Sequence, residues 1–254
     1  MIMIMKTDKY TFQPEFQNVI QDAVQSLCTA LPGVLHSIYV YGSVAEGRAV
    51  PGRSDLDLTL VLHRPLSAAE KTILRSLDKA LTARHSSVSK IGFDTGLLSE
   101  VTSAEEQPVW AYWLAHFCLP VWGDDLTLKL PVVTLNREII HGINGDFPVL
   151  VRTNLMQLQK SPPLAEIRRI KRETARRLLR ATALVWNDYE TCTYPLPLPQ
   201  MAGKAIALYP EKRHAITFLL GQTEEPDTGI IQFIAVAGTF SRWLRDEEKR
   251  LLGR

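Results

Sequence analysis

Cysteine and net charge are both scarce in this sequence of 254 residues. Its three cysteines, Cys28, Cys118 and Cys192, lie far apart and show neither zinc-site spacing nor the pattern of a disulfide framework. The formal net charge of +2 is nearly neutral, so composition gives no support for a nucleic-acid partner. No apolar run is long enough to span a membrane. These absences argue against a disulfide scaffold and a membrane-spanning protein, and we expect a globular protein of the reducing cytoplasm.

The chain also has little that resembles a secretory leader. The apolar stretch within Met1–Lys6 is too short for a signal-peptide core, and its charge follows that stretch instead of preceding it. Hydrophobic residues make up 46% of the chain and charged residues 22%, as is ordinary for a globular protein. The length suits one large domain or two small ones.

Two aspartates separated by one residue form the strongest chemical signal. Asp55 and Asp57 alternate with leucines in a predicted strand, and residues two apart in a strand share a face. Neighbouring carboxylates repel each other unless a cation lies between them. Magnesium is typically held by one or two carboxylates together with substrate phosphates. The pattern therefore predicts a strand that binds Mg²⁺.

A glycine–serine turn, Gly42-Ser43, precedes this strand by eleven residues. Gly42 tolerates close backbone approach, and Ser43 adds a hydroxyl. Residues 44–48 are expected to start a short helix, and the free N–H groups of a helix start bind phosphate. A phosphate site beside metal-binding carboxylates predicts chemistry on a nucleoside triphosphate.

Gly42-Ser43, the spacer and Ser54–Leu58 together resemble the signature of the nucleotidyltransferase superfamily, which has the DNA-polymerase-β-like fold. The resemblance implies that Asp55 and Asp57 bind the metal and that the glycine–serine turn binds phosphate. It also implies a metal-dependent enzyme that uses Mg²⁺ and ATP. Such an enzyme would transfer AMP to a hydroxyl of a small molecule and release pyrophosphate.

The superfamily usually places a third carboxylate on a neighbouring strand, and Asp94 is the expected counterpart. The resemblance implies that Asp94 is a metal ligand, the base for the acceptor hydroxyl, or both, and Glu100 is the alternative candidate. Gly92 and Gly96 share the face of Asp94 and are expected to leave room for a ligand around it. The other interpretation of Asp94 is a carboxylate hydrogen-bonded in a bend.

Two further residues near the motif are candidates for phosphate contact. Arg48 lies in the spacer, where positive charge suits a loop over phosphates, and Ser54 matches a position that is often serine in the superfamily. The alternatives are a surface arginine and a serine that caps the strand.

The periodicity of apolar residues predicts an α/β (α+β) domain with a short mixed sheet over residues 1–130 and an all-α helical bundle over 131–254. The predicted helices of the first domain cover 14–31, 67–84 and 103–117, and its strands cover 35–41, 55–62 and 89–98. Ser67 is the predicted cap of the second of these helices. The predicted helices of the second domain lie within 135–159 and over 164–187, 197–208, 212–221 and 229–252.

The second half resembles aminoglycoside adenylyltransferases only loosely, over residues 175–204. The segment 119–126 resembles the connector that leaves their catalytic domain. The similarity implies that Lys204 approaches the phosphates and that an aminoglycoside-like antibiotic is the acceptor. Trp186, Asp188 and Glu190 are candidates to line the acceptor pocket, and the alternative is a packed tryptophan beside surface carboxylates.

An arginine stripe, Arg168, Arg172, Arg176 and Arg180, runs along the predicted helix 164–187. The stripe is either a solvated face, a contact with the triphosphate or, less favoured, a surface for RNA.

Two alternatives to the small-molecule enzyme remain open. One is a nucleotidyltransferase that modifies a macromolecule such as a tRNA end or a protein, as a toxin would. The other is a non-catalytic regulator that binds nucleotide.

Overall fold

A computed structural model of the protein describes residues 12–189, 194–227 and 229–253. Its internal contacts divide the chain into two units, of which the first ends at Val133 and the second begins at Thr134. The boundary at residue 130 between a catalytic and an acceptor-binding domain stays a prediction.

The first unit contains a four-stranded mixed sheet in the order β3-β2-β1-β4. The strands are β1 (Leu35–Tyr41), β2 (Leu56–Leu62), β3 (Ile91–Leu97) and β4 (Cys118–Gly123). Strand β1 runs antiparallel to β2 and β4, whereas β2 and β3 are parallel. A helical crossover joins the parallel pair, as parallel neighbours require. The prediction of a short mixed sheet is confirmed.

The described helices of this unit agree closely with the predicted ones. They are α1 (Pro14–Ala30), α2 (Gly42–Ala45), α3 (Ala68–Arg84), α4 (Leu98–Val101) and α5 (Gln107–Phe117). Ser67 caps α3 as predicted: its hydroxyl accepts from the Glu70 N–H at 3.2 Å, and the Glu70 carboxylate accepts from the Ser67 N–H at 2.8 Å. This reciprocal capping box satisfies two backbone donors that the helix itself leaves unpaired.

One face of the sheet forms the main core with α1 and α3. Phe16 and Leu27 of α1 are fully buried, as are Leu58 and Leu60 of β2. Burying a side chain of this size stabilises the fold by about 1.5–3 kcal/mol. Because side chains alternate along a strand, burial of the leucines sends Asp57 to the opposite face.

The opposite face is partly covered by α5 and by the short 3-10 helix Leu126–Leu128. Tyr39, Val61 and Leu114 form the buried centre of this second cluster. Strand β4 corrects the prediction that residues 119–126 are a connector, because most of that segment pairs with β1. Pro120 weakens the strand signal of this segment, because proline cannot donate a backbone hydrogen bond to a neighbouring strand. Within sheets, proline is found mainly in edge strands such as β4.

All the secondary structure described in the second unit is helical, which confirms the predicted helical region. Its helices are α6 (Arg137–Asn144), α7 (Phe147–Leu158), α8 (Leu164–Ala181), α9 (Leu198–Leu208), α10 (Arg213–Gln222) and α11 (Ile230–Leu251). Helix α8 is shorter than predicted, because the 3-10 helix Thr182–Val185 replaces its last turns. In the described part of the chain, no helix is both long and apolar enough to cross a membrane.

A buried lysine ties α8 to the chain that leads into α11. The Lys171 ammonium is 2.6 Å from Oδ1 of Asp227 and 2.9 Å from the carbonyl oxygens of Asp227 and Gly229. Its side chain is completely buried. A buried charge is tolerated only when it is paired and hydrogen-bonded, so this cluster stabilises the start of α11.

Candidate active site

The glycine–serine turn lies at the end of β1, directly above the carboxylate of Asp57. Gly42 has a φ of +74°, a region that L side chains rarely adopt. A Cβ added there would lie 3.0 Å from Oδ2 of Asp57. Residues Gly42–Ala45 form the single helical turn α2, so the short helix begins at the glycine itself and not within residues 44–48 as predicted. Within the described part of the chain, the Ser43 hydroxyl makes no hydrogen bond, so it is available to a ligand.

Asp57 lies in the middle of the sheet, between Tyr41 of β1 and Gly92 of β3. A Cβ added to Gly92 would lie 2.9 Å from Oδ1 of Asp57. Each oxygen of the carboxylate is therefore approached by a glycine, on one side by Gly42 and on the other by Gly92. A side chain at either position would displace the carboxylate, so both glycines are required by its location.

Asp55 immediately precedes β2 and shares the face of Asp57. It is half-buried, and the Ser89 hydroxyl is hydrogen-bonded to its Oδ1. The same hydroxyl lies 3.0 Å from the carbonyl oxygen of Arg53. Ser89 thus orients Asp55 from the segment that leads into β3.

Asp94 lies on β3, opposite Thr59 in the parallel register. Its side chain is exposed, and the Tyr41 hydroxyl donates to its Oδ2. Burial raises the pKa of Tyr41, and the nearby carboxylates of Asp57 and Asp94 raise it further. The phenol therefore remains a protonated donor at neutral pH, and it lies close enough to both carboxylates to be affected by their charge.

The two glycines of β3 do not both serve Asp94 as predicted. Gly92 makes room for the carboxylate of Asp57. A Cβ on Gly96 would lie 2.2 Å from the indole of Trp110. The prediction that Gly96 leaves space for a ligand is therefore wrong, since a ring from α5 fills that space.

Glu100 is engaged in the backbone of α4. Its carboxylate accepts from the Leu97 N–H at 2.8 Å, as an N3 residue does at a helix start. This role leaves Asp94 as the better candidate for the third functional carboxylate.

The spacer residues Arg48 and Ser54 have local partners. Arg48 is exposed and forms an ion pair with Glu46. The Ser54 hydroxyl accepts from the Val50 N–H at 2.9 Å, and the Ser54 N–H donates back to the Val50 carbonyl at 2.9 Å. Ser54 thus closes the loop before Asp55, and contact of either residue with phosphate stays a prediction.

Lys204 and its neighbours lie in the second unit. The Lys204 ammonium is 2.6 Å from Oδ2 of Asp188 and 4.3 Å from the centre of the Trp186 ring. Trp186 is completely buried, which favours the packed tryptophan over a pocket wall. Glu190, the third residue of that prediction, lies outside the described residues.

The arginine stripe lies on α8, with the buried side of the helix formed as predicted by residues such as Ile170 and Leu178. Arg168 is exposed, whereas Arg172, Arg176 and Arg180 are half-buried. The half-burial of these three arginines does not agree with a plain solvated face.

The carboxylates of Asp55 and Asp57 are candidate ligands for a metal ion. Among residues 12–189, 194–227 and 229–253, no three His, Cys, Asp or Glu side chains are grouped so that they could hold a metal by themselves. Ser89 is hydrogen-bonded to Asp55 and Tyr41 to Asp94, and the three aspartates as a set of metal ligands stay a prediction. Asp55 and Asp57 still offer hard oxygen ligands, which suit Mg²⁺ when phosphate oxygens complete its shell.

Sequence reasoning missed two residues that orient the carboxylates, Tyr41 and Ser89. Tyr41 and Tyr39 are two residues apart in β1 and share a face of the sheet. Only the structure shows that the hydroxyl of Tyr41 reaches β3. Ser89 precedes a predicted strand and carries no signal of its own.

Comparisons with known proteins match the geometry of the first unit. Residues 20–101 match the model of the nucleotidyltransferase domain, and this range includes the glycine–serine turn, Asp55, Asp57 and Asp94. No curated protein matches the sequence. Among solved structures, the chain is similar to the spectinomycin adenyltransferase AAD(9) from Enterococcus faecialis, whose structure was determined with ATP and spectinomycin. The TM-score is 0.53 at 15% sequence identity, over 89% of this chain and 98% of that chain. At this identity the likeness establishes the fold.

Proposed function

We propose that this chain, which contains a match to the nucleotidyltransferase domain and is similar in fold to a spectinomycin adenyltransferase, transfers AMP from ATP to a hydroxyl of a small molecule. The products are the adenylylated acceptor and pyrophosphate. An aminoglycoside-like antibiotic is the proposed acceptor class. A cytoplasmic location is part of the proposal, because the proposed donor is ATP.

The observation that carries the proposal is the close approach of two glycines to the carboxylate of Asp57. Gly42 and Gly92 approach its two oxygens, and the phosphate-binding turn begins at the first of these glycines. Asp55 lies on the same face, two residues before Asp57. Carboxylates beside a glycine turn suit a Mg²⁺ ion that also contacts substrate phosphates.

The site residues have distinct proposed roles. Asp55 and Asp57 would hold Mg²⁺, which supplies neutralisation of charge on the leaving pyrophosphate when it is bound. The backbone of the turn and the Ser43 hydroxyl bind phosphate oxygens. Arg48, Ser54 and Lys204 are proposed as further phosphate contacts.

Asp94 is proposed as the base for the acceptor. Its exposed carboxylate takes the proton of the acceptor hydroxyl while the hydroxyl oxygen forms a bond to the α-phosphorus of ATP. The bond from the α-phosphorus to the bridging oxygen breaks, and pyrophosphate leaves with that electron pair. Catalysis of this kind rests mostly on positioning and electrostatics, so it needs no covalent intermediate.

The acceptor is proposed to bind the helical second unit. Asp188, which contacts Lys204, provides a carboxylate that suits a cationic acceptor. The similar structure was determined with spectinomycin, which supports an acceptor of this chemical class.

The proposal is tested by pyrophosphate release with Mg²⁺ and each of the four nucleoside triphosphates, against a panel of aminoglycosides and aminocyclitols. Asp55→Asn should abolish release. Asp246→Asn, which alters an exposed ion pair of α11, is the matched control and should behave as wild type. Turnover with one antibiotic and ATP supports the proposal. Binding of ATP without release, or transfer of label into RNA or protein in a cell extract, would contradict it and favour the regulator or the macromolecular enzyme.

A further inference from the structure

The side chain of Tyr41 spans the carboxylate face of the sheet. Its backbone pairs with Asp57 across β1 and β2, and β3 lies beyond β2. The Tyr41 hydroxyl nevertheless reaches Oδ2 of Asp94 on β3. The phenol therefore connects the strand that begins the phosphate turn with the strand that carries the proposed base.

An aromatic brace holds the Tyr41 ring in this direction. The rings of Tyr41 and Trp113 make an edge contact at 5.1 Å between centroids, with 63° between their planes. The ring of Phe117 stacks on the ring of Trp113, with 4.7 Å between their centroids. Aromatic pairs of these geometries contribute about 0.5–1.5 kcal/mol beyond burial, which favours this orientation of the ring.

The brace is anchored beside Asp94. The Trp113 indole N–H donates to Oγ1 of Thr59 at 3.3 Å. Thr59 is buried and is the residue that pairs with Asp94 between β2 and β3. The contacts thus form a closed path from Asp94 through Tyr41 and Trp113 to Thr59 and back to the register position of Asp94.

We propose that Tyr41 is a positioning residue that holds Oδ2 of Asp94, so that Oδ1 is directed to the acceptor hydroxyl. An exposed aspartate on a strand would otherwise sample several rotamers. Proton transfer needs heavy atoms about 2.6–3.2 Å apart, and one fixed oxygen leaves the other in a defined direction. This inference rests on the proposed function and adds a residue to its acceptor step.

The test compares Tyr41→Phe with Tyr39→Phe. Tyr39 lies two residues earlier on the same strand and face, and its hydroxyl is bound to the Leu126 N–H at 2.8 Å and the Asp124 carbonyl at 3.2 Å. Each variant loses one hydrogen-bonded tyrosine hydroxyl, but only the hydroxyl of Tyr41 contacts a proposed catalytic group. Tyr41→Phe should lower kcat by about 10–100-fold, since misplacement of a reacting group by 1 Å costs about that much.

Measurements of ATP binding distinguish a positioning role of Tyr41 from damage to the fold. In Tyr41→Phe, the KM for ATP and the calorimetric Kd for a non-hydrolysable ATP analogue with Mg²⁺ should stay within about twofold of wild type, because the lost contact belongs to the acceptor step. Tyr39→Phe should keep kcat and lower the urea midpoint instead. If Tyr41→Phe does not fold, Trp113→Phe tests the same path, because it removes the N–H donated to Thr59 and should also lower kcat with unchanged ATP binding.

Three results would overturn the inference: a kcat of Tyr41→Phe within about twofold of wild type, an equal fall in Tyr39→Phe, or a loss that lies wholly in ATP binding. If the wild-type protein shows turnover and any of these results is found, the inference is contradicted but the proposed function is not. If the wild-type protein shows no turnover with any donor and acceptor, both the proposed function and the inference are contradicted.

Discussion

Replacing Gly92 with alanine would push a methyl group against the carboxylate of Asp57. The added Cβ would lie 2.9 Å from Oδ1 of Asp57. Close carbon–oxygen contacts are typically about 3.3 Å or longer, so the carboxylate must move by roughly 0.4 Å. Gly92 is not among the glycines with positive φ, so alanine adds no backbone strain. The substitution therefore displaces one functional group and leaves the strand intact.

The displacement predicts a moderate loss of activity. A misplacement of 1 Å costs about 100-fold in rate, so a shift of roughly 0.4 Å predicts a fall in kcat of about 5–10-fold on that scale. The free energy of unfolding should change by less than about 1 kcal/mol, because no core contact is removed. Initial rates of pyrophosphate release give kcat, and urea unfolding gives the stability.

Gly221→Ala is the matched control. Nothing lies within 4 Å of a Cβ added to Gly221, which is in α10. The helix should gain about 0.5–1 kcal/mol, as alanine is favoured over glycine there, and kcat should not change. Equal kcat values for Gly92→Ala and wild type would refute the argument that this glycine makes room for Asp57.

Two further predictions concern stability. The pKa of Glu70 is lowered to about 2 from its ordinary 4.5, first by Arg64, so its contribution to stability is present above pH 4.5 and is lost as pH falls to about 2. Glu70→Gln should show a shallower fall of the urea midpoint over that window, and an unchanged slope would contradict this. Asp227→Ala removes the ion pair of buried Lys171 and should lower the free energy of unfolding by about 1.5–3 kcal/mol. Asp246→Asn, at an exposed ion pair, should change it by about 0–1 kcal/mol, and equal losses in these two variants would refute the role of burial.

The strand pattern around Asp55 and Asp57 was predictable because it depends on local rules. Alternation of leucine with Asp55 and Asp57 requires one buried and one functional face whatever the partners of the strand. The turn at Gly42 was predictable for the same reason, since only glycine readily adopts its φ. In each case the residue itself carries the physical constraint.

The errors arose where a residue's role depends on a distant partner. Gly96 faces Trp110, which is fourteen positions away and comes from a helix that packs over the sheet. Strand β4 was missed because Pro120 weakens a strand signal that only its place at the sheet edge explains. The contact of Tyr41 with Asp94 depends on the strand order, which side-chain parity does not determine.

The central claim is transfer of the nucleotidyl group, and the fate of two labels tests it most directly. Purified protein, Mg²⁺ and acceptor would be incubated with ATP labelled at either the α- or the γ-phosphate, alongside Asp55→Asn. The account predicts that the α-label enters the acceptor, that the γ-label leaves as pyrophosphate, and that the variant produces neither. Transfer of the γ-label to the acceptor, or equal transfer by Asp55→Asn, would contradict it.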